Sequence, residues 1–366
     1  MVGEVTVSVD YGRDPQTGKW VCPARAAWGL GPHQKMTPEL ADRVCLTATL
    51  ADSYQAAAEL SAKWGSPVDA STIRQHACAA GQRATAQAQK REREPAVVAT
   101  PAGVQATKPA ALVIMLDGWL ARQRGEDWGA RSTAAFLERV AWHEIKGAVI
   151  YRLEQAGQTA GGRGVIAQKY VVAWQGEPLE FGRRVQAEAR RRGLAEAQKV
   201  FVVADGSVWI WNVQADRFGQ AQGVLDFYHA SQHLWAVAHA LHPTDAAAAR
   251  AWVEPLLHQL RHGQEAGVLQ TLDDLPQWCA QLQRAVPPEV TREQEYFGNH
   301  REHVHYAALA ALGCPVGSGA MESFCAQLQG RFKRGGQFWS QQGMGDLLAL
   351  EVARRNLDWD ALWTRN

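Results

Sequence analysis

The stretch ALVIMLDG, residues 111–118, is an apolar run that ends in an acidic residue and a glycine, and KVFVVADG, residues 199–206, repeats the pattern. Continuous apolar runs of this length are typical of strands that are buried on both faces of a sheet. The two runs therefore predict two buried strands, and each strand exposes an aspartate, Asp117 or Asp205, at its C-terminal end.

The segments around these runs complete an α/β pattern. Strands are predicted over 144–153 and 169–174, a basic helix over 179–193, and a third apolar segment over 224–228. Strands that are joined through a crossover helix form layered α/β domains. We therefore expect a mixed sheet with flanking helices.

A long helical block follows the last predicted strand. Residues 230–312 carry apolar side chains at helical spacing and contain no strand-like run, and the segments 319–330 and 345–355 also favour helices. The pattern predicts an all-helical insertion over 230–313 that interrupts an α/β core made of 106–229 and 314–366.

The N-terminal part of the chain has two predicted pieces. Residues 1–30 hold a β-hairpin over 5–21, and residues 31–105 hold a small helical domain and a polar linker, with a domain boundary near 105. Helices are predicted after the N-cap Thr37 and over 54–64.

A third N-terminal helix is predicted to begin at a capping box over Thr72–Gln75. Helix, short turn and helix are compatible with a helix-turn-helix that offers Arg74, Gln75 and Arg83 to a DNA groove. An ordinary helical bundle is an equal alternative for this segment.

Three carboxylates stand out as candidate site residues. In α/β sheets the ligand crevice lies outside the carboxyl ends of the strands, so Asp117 and Asp205 converge if their strands are neighbours. A third acid, Glu322, lies in the glycine-rich segment Gly317–Ser323 at the start of a predicted helix. Two Mg²⁺ ions about 3.5 to 4 Å apart need oxygen ligands of this kind, and phosphoryl transfer is the chemistry that such sites perform. The alternative is that each Asp-Gly pair is a simple turn.

Five motifs together resemble a DDE transposase of a bacterial insertion sequence, in the mutator-like lineage. The resemblance extends over roughly residues 30 to 360, with the motifs in the expected order. The motifs are LDGW (116–119), ADGSVWIW (204–211), LDFYHA (225–230), PVGSGAMES (315–323) and RFKRGGQFW (331–339).

The resemblance implies a ribonuclease-H-like catalytic core that is interrupted by the helical insertion. It implies that Asp117, Asp205 and Glu322 are catalytic and hold two Mg²⁺ or Mn²⁺ ions. Such an enzyme is an endonuclease that cleaves DNA at the ends of the element and joins the 3′-hydroxyl ends to target DNA.

The resemblance also implies a set of DNA-contacting residues. Asp226 and His229 match an Asp-x-x-His motif that supports DNA handling, although a core-edge histidine is an equal interpretation of His229. The segment after the third acid adds three basic residues and one aromatic residue, Arg331, Lys333, Arg334 and Trp339.

The net charge of +1 is the sum of an acidic segment and a basic remainder. Residues 226–313 carry 5 Lys and Arg against 10 Asp and Glu, whereas the rest of the chain carries 33 against 27. DNA is therefore expected to follow the core and the segment after Glu322, because phosphate contacts require local positive charge.

The remaining predictions concern the location of the protein in the cell and its binding partners. The 6 cysteines form no Cys-x-x-Cys pair, and the sequence shows neither a signal peptide nor a membrane span, which predicts a cytoplasmic protein that associates with the nucleoid when bound to DNA. The partners are double-stranded DNA, as element ends and target, and a second copy of the chain in a homodimer or higher oligomer. Two alternatives are a catalytically silent, domesticated transposase and, because of the 15 tryptophans, a glycosidase with paired carboxylates.

Overall fold

The computed structural model describes residues 7–31, 34–94, 111–125, 128 and 139–363 of the chain. The strands within these residues are β1 (Gly12–Arg13), β2 (Trp20–Val21), β3 (Ala111–Arg124), β4 (Val140–Arg152), β5 (Ala156–Gln158), β6 (Gly164–Ile166), β7 (Tyr170–Trp174), β8 (Lys199–Ala204) and β9 (Gln222–Leu225).

Helices make up most of the remaining described chain. They are α1 (Pro23–Ala27), α2 (Pro38–Leu50), α3 (Tyr54–Lys63), α4 (Ala70–Arg93), α5 (Pro178–Arg191), α6 (Val208–Arg217), α7 (Phe227–Leu241), α8 (Ala246–Arg261), α9 (Glu265–Gln281), α10 (Pro288–Asn299), α11 (Tyr306–Ala311), α12 (Gly319–Phe332) and α13 (Gln341–Arg355). No helix within the described ranges is both long and apolar enough to cross a membrane.

Five of the strands form one mixed sheet, in the order β7-β4-β3-β8-β9. β3 is parallel to β8, and β8 is parallel to β9, whereas β4 and β7 are antiparallel. The predicted α/β class is confirmed at this level. Both apolar runs are buried strands, and side chains from β3 and β8 pack in one core with those of α5 and α6.

The run over 111–116 predicts a strand that stops at Asp117, and this end point is wrong. β3 continues to Arg124, and its residues beyond Asp117 alternate between buried and more exposed positions. The alternation has the period of two that a half-buried strand shows, so the Asp-Gly pair lies inside a strand.

The N-terminal helices agree with the prediction except where α4 begins. Thr37 caps α2, and Ser53 caps α3, as their side chains accept hydrogen bonds from backbone N–H groups of the first turn. The predicted capping box is wrong, because α4 begins earlier, at Ala70, and Asp69 Oδ1 accepts the Thr72 N–H at 2.9 Å. Asp69, which precedes the helix, therefore caps its first turn in place of Thr72.

Helix α4 buries a stripe of mostly small residues along one face, and it approaches α13 closely at Gly81. A methyl group at Gly81 would lie 2.0 Å from the backbone oxygen of Asp346, so the two helices approach closely only because Gly81 has no side chain. The stripe joins a core with side chains from α2 and α13.

The predicted hairpin is shorter than expected, with Gly12 paired to Val21 and Arg13 to Trp20. Residues 5 and 6 lie outside the described residues, as do 95–110 with the linker and the predicted boundary near 105.

The helices predicted after the last strand are present as α7 to α13. The chain divides into two compact units. One comprises 1–90, 121–143 and 328–366, and the other comprises 91–120 and 144–327. The second unit contains most of the mixed sheet together with α5 to α11. The division into a core and a helical insertion stays a prediction.

Candidate active site

The register of two parallel strands places Asp117 beside Asp205. Leu116 pairs with Ala204 at the C-terminal end of the β3–β8 ladder, and each aspartate is the next residue in its chain. Burial raises the pKa of the Asp117 carboxyl above its ordinary value, the hydrogen bond from the Gly118 N–H lowers it, and the negative charge of Asp205 raises it again. Two of the three predicted acids therefore lie at the same edge of the sheet.

Helix α12 brings the third acid to this edge. Cys325 Sγ donates a hydrogen bond to Asp117 Oδ2 at 3.6 Å, and Met321 packs so closely on β4 that a methyl group at Gly147 would lie 2.4 Å from its Cε. Glu322 lies between these two anchors in the sequence, is exposed, and its charge helps to raise the pKa of the Cys325 thiol, after burial and Asp117. The structure thus brings together the two aspartates and the helical turn that carries Glu322.

The two Asp-Gly pairs have different structural reasons for their glycines. Gly118 lies inside β3, and a methyl group there would lie 2.5 Å from Glu144 Oε1. Gly206 follows β8, and a methyl group there would lie 2.1 Å from the ring of Tyr296. The turn interpretation is therefore wrong for Asp117, while Asp205 does form a turn, because its Oδ1 accepts the Ser207 N–H at 2.8 Å before α6 begins.

A fourth carboxylate, Glu144, lies beside the site and was missed in the sequence. Lys146 Nζ is 2.9 Å from Glu144 Oε2, Trp209 Nε1 donates to Glu144 Oε1 at 3.1 Å, and the Lys146 ammonium lies 5.3 Å from the Trp209 ring centroid. Glu144 and Lys146 are two residues apart on one strand and so share a face. That spacing of opposite charges inside a predicted strand is the signal that could have identified the pair.

Asp226 is fully buried, and this corrects the prediction that it contacts DNA. Its Oδ1 accepts the backbone N–H groups of Tyr228 at 2.7 Å and His229 at 3.0 Å, which caps α7. Its Oδ2 accepts the N–H of Ser318, just before α12. Asp226 is therefore a structural residue that ties two helix starts together.

His229 is half-buried, and its charge lowers the pKa of Asp117, although less than burial raises it. His229 therefore lies near the acidic edge of the sheet. Its role in DNA handling stays a prediction.

The structure buries Arg331, which corrects the prediction that it contacts DNA, whereas Trp339 is half-buried and its DNA contact stays a prediction. Arg331 is 7% exposed, and its Nη2 donates to the Ala48 carbonyl at 3.3 Å. The Arg331 guanidinium lies 5.3 Å from the ring centroid of Trp339, whose Nε1 donates to the Phe332 carbonyl at 2.9 Å. Both side chains are thus engaged within their own unit.

Lys333 and Arg334 are exposed, as DNA-contacting residues must be. Lys333 Nζ lies 5.9 Å from the ring centroid of Trp142, and the Arg122 guanidinium lies 6.0 Å from the same centroid. Trp142 is 53% exposed, which is unusual for so large an apolar ring. Arg334 forms an ion pair with Asp52.

Trp142 and Arg122 were not predicted as members of this surface. The signal in the sequence is weak, because the two residues lie far from Lys333 along the chain.

The three predicted helix-turn-helix residues are exposed but do not share one face of α4. Arg74 and Arg83 are separated by nine positions, about two and a half turns at roughly 3.6 residues per turn, so they project to opposite sides. The Arg83 guanidinium lies 5.0 Å from the ring centroid of Trp363. Gln75 lies on the outer face of the helix, and the recognition role of all three stays a prediction.

The oxygen donors at the acidic edge are of the chemical type that a hard divalent cation binds. Burial and the neighbouring Asp205 both disfavour the charged form of Asp117, as its raised pKa shows, and a cation would offset that cost. Among the described side chains, however, no three His, Cys, Asp or Glu residues are grouped so that they could hold one metal ion.

Comparison with known proteins assigns no family. No family model matches the chain, and no curated protein sequence matches it. Among solved structures, a chain of the Drosophila P element transposase strand transfer complex matches with a TM-score of 0.38 and 10% identity, over 92% of this chain and 96% of that one. A likeness at that level carries no weight for the assignment of function.

Proposed function

We propose that this chain is a metal-dependent DNA transposase of the DDE type, with a ribonuclease-H-like core. The observation that carries the proposal is the pairing of Leu116 with Ala204, which sets Asp117 and Asp205 side by side at the carboxyl edge of a five-stranded mixed sheet. The contact from Cys325 to Asp117, one helical turn after Glu322, supports the third acid.

The proposed metal ligands are Asp117, Asp205 and Glu322, with Mg²⁺ or Mn²⁺ as the ion. When bound, two such ions polarise the phosphodiester and lower the pKa of the attacking water or hydroxyl group. The chain itself contributes the position of the ligands: β3 and β8 hold the two aspartates at fixed register, and α12 presents Glu322 from the side.

The lack of a three-residue metal cluster among the described residues is compatible with this proposal. Mg²⁺ keeps several waters and is held through one or two carboxylates plus substrate phosphates. An ion that is shared by two carboxylates and a DNA phosphate needs no third protein ligand.

The proposed DNA-contacting surface contains Trp142, Arg122, Lys333 and Arg334. An exposed aromatic ring with cations beside it suits nucleic acid, because a base stacks on the ring while the cations neutralise phosphates. The proposed partners are the element ends, target DNA and a second copy of the chain. Terminal repeats on both sides of the reading frame are the expected substrate.

Strand cleavage of a duplex that carries those repeats tests the proposal. The wild-type protein with Mg²⁺ should leave 3′-hydroxyl ends and join them to target DNA, and EDTA should abolish both steps. The variants Asp117→Asn, Asp205→Asn and Glu322→Gln should show only background cleavage and keep the wild-type circular dichroism spectrum. Glu196→Gln, an exposed carboxylate of the same unit, is the matched control and should cleave normally.

Full cleavage by any of the three acid variants would refute the assignment of that acid. A protein that binds the repeats but does not cleave them with Mg²⁺ or Mn²⁺ would instead be a silent, domesticated DNA-binding protein. Activity on glycosides that survives EDTA would favour the glycosidase alternative.

A further inference from the structure

An open pocket of about 500 Å³ lies directly beside Asp205, and the proposed chemistry does not use it. Gly206, the next residue after that acid, is part of its wall. The aromatic side chains of the wall come from α6, from α10 and from the turn that follows α10, and they are Trp211, Tyr296, His300 and His303. All of these residues belong to the second of the two units.

The wall of the pocket includes one stacked pair of aromatic rings. The rings of Trp211 and His303 are stacked, with centroids 4.0 Å apart and planes 9° from parallel. Burial and the nearby His300 lower the pKa of His303 to about 4, so its ring is neutral at pH 7. A neutral aromatic wall favours a ligand with a flat apolar face over a bare phosphate.

The same rings leave hydrogen-bonding groups unused. Trp211 Nε1, His300 Nδ1 and His303 Nδ1 are buried, and each lacks a hydrogen-bond partner in the part of the chain that the structure describes. An unpaired buried polar group costs on the order of 1 to 3 kcal/mol. A ligand whose edge offers both donors and acceptors suits such a wall better than a purely apolar one.

The exposed part of the lining carries one cation, Arg292, and one carboxylate, Glu295. Arg292 is part of the lining, its side chain is 66% exposed, and its Nη2 pairs with Glu293 Oε1 at 2.8 Å. An exposed guanidinium at the rim suits a phosphate group that is attached to a ligand in the pocket. An aromatic interior with unpaired polar atoms, and a guanidinium at the rim, has the chemical features of a nucleotide site.

We propose that this pocket receives one nucleobase of the DNA, that of a nucleotide adjacent to the phosphate that is cleaved. The assignment of that phosphate rests on the proposed function, since the pocket borders one of the proposed catalytic acids. Extrusion of a base from a duplex costs a few kcal/mol, and stacking on aromatic side chains recovers about 1 to 3 kcal/mol per base.

Titration of the full-length protein with dAMP, dGMP, dCMP and TMP by calorimetry tests the pocket without any cleavage. At least one nucleotide should bind saturably. Binding should weaken tenfold or more in Asn212→Trp and in Val208→Trp, because both exposed side chains line the pocket and an indole would fill it. Ala215→Trp, also exposed on α6 but outside the pocket, is the matched control and should bind as wild type.

The two blocking variants should also cleave the end-repeat duplex at least tenfold more slowly than Ala215→Trp, with unchanged melting temperature. Absence of saturable binding for all four nucleotides overturns the proposal, and so does wild-type cleavage by both blocking variants. Asp117→Asn keeps the pocket and should bind nucleotides normally even though it does not cleave. If the pocket does not bind a nucleobase, the nucleotide titration shows no saturable binding. If the proposed function is wrong, the wild-type protein does not cleave the end-repeat duplex.

Discussion

Asp226 and Ser318 are 92 residues apart in the chain and are joined by one buried hydrogen bond, from the Ser318 N–H to Asp226 Oδ2. The Ser318 carbonyl in turn accepts the N–H of Glu322 at 3.1 Å and that of Met321 at 2.7 Å. The carboxylate that starts α7 thus also fixes the start of the helix that carries the third proposed acid.

Asp226→Asn is expected to remove the hydrogen bond that joins the start of α7 to the start of α12. An asparagine oxygen can still cap α7, but its Nδ2 is a donor and cannot accept the Ser318 N–H. The free energy of unfolding should fall by about 1 to 3 kcal/mol, the cost of a buried unpaired group, and DNA cleavage should fall as well. Urea unfolding and the cleavage assay measure the two effects.

Asp245→Asn is the control for this substitution. Asp245 Oδ1 caps α8 through the Ala248 N–H at 2.9 Å, and asparagine caps about as well as aspartate. Its unfolding free energy should change by less than about 0.5 kcal/mol. Equal losses in the two variants would show that the Ser318 contact contributes nothing.

Gly206→Ala is expected to destabilise the protein because the new methyl group meets the ring of Tyr296 at 2.1 Å. Overpacking of this kind costs about 1 to 3 kcal/mol. Gly298→Ala, in α10 with no atom near the new methyl group, should instead stabilise by about 0.5 to 1 kcal/mol. Opposite shifts in melting temperature are the expected readout, and equal shifts would contradict the tight contact.

Lys333→Ala is expected to weaken DNA binding and to reduce its dependence on salt. If Lys333 neutralises one phosphate, the slope of log K against log salt concentration should become shallower by about 0.9. Fluorescence anisotropy of a labelled duplex between 50 and 200 mM salt, about the range in which such slopes are large, measures it. Lys19→Ala, in the N-terminal hairpin segment, should keep the wild-type slope. A wild-type slope for Lys333→Ala would show that Lys333 does not contact a phosphate of the DNA.

The stability of the protein is expected to fall in mild acid because of His303. Its pKa in the folded protein is about 4, below the ordinary value of 6.5, so the unfolded chain takes up a proton that the folded chain refuses. The contribution is fully present above pH 6.5 and is lost as the pH falls from there toward 4. Urea midpoints at several pH values between these limits should decrease.

His303→Gln should show a smaller decrease over the same range, whatever its stability at neutral pH. The exposed His262→Gln retains the His303 ring and should keep the full decrease. Indistinguishable pH profiles for the two variants would assign the acid sensitivity to other groups.

The parts of the fold that follow from local pattern could be predicted from the sequence. The apolar run 199–204 is β8 as predicted, and the helical spacing over 230–312 corresponds to α7 to α11. The end of β3 was missed because Asp-Gly is so common in turns that it outweighed the alternation that continues to Arg124.

The surroundings of individual side chains could not be predicted, because they depend on remote segments. Asp226 and Arg331 are charged and were assigned to the surface, yet their partners, Ser318 and Ala48, are far away in the chain. Burial of a charge requires such partners, and sequence spacing does not reveal them. The pocket beside Asp205 escaped detection for the same reason, since its walls come from α6 and from helices about 80 residues later.

Six residue pairs join β3 and β8, and the number of residues in each strand therefore determines where each aspartate lies. Side chains alternate faces along a strand, so deletion of one residue from 112–116 would turn Asp117 to the opposite face of the sheet. Evolution can therefore exchange one apolar residue for another in this strand, but cannot change its length without the loss of the acidic pair. Gaps in an alignment of true relatives should fall in segments such as the turn over 159–163 and never inside 111–117.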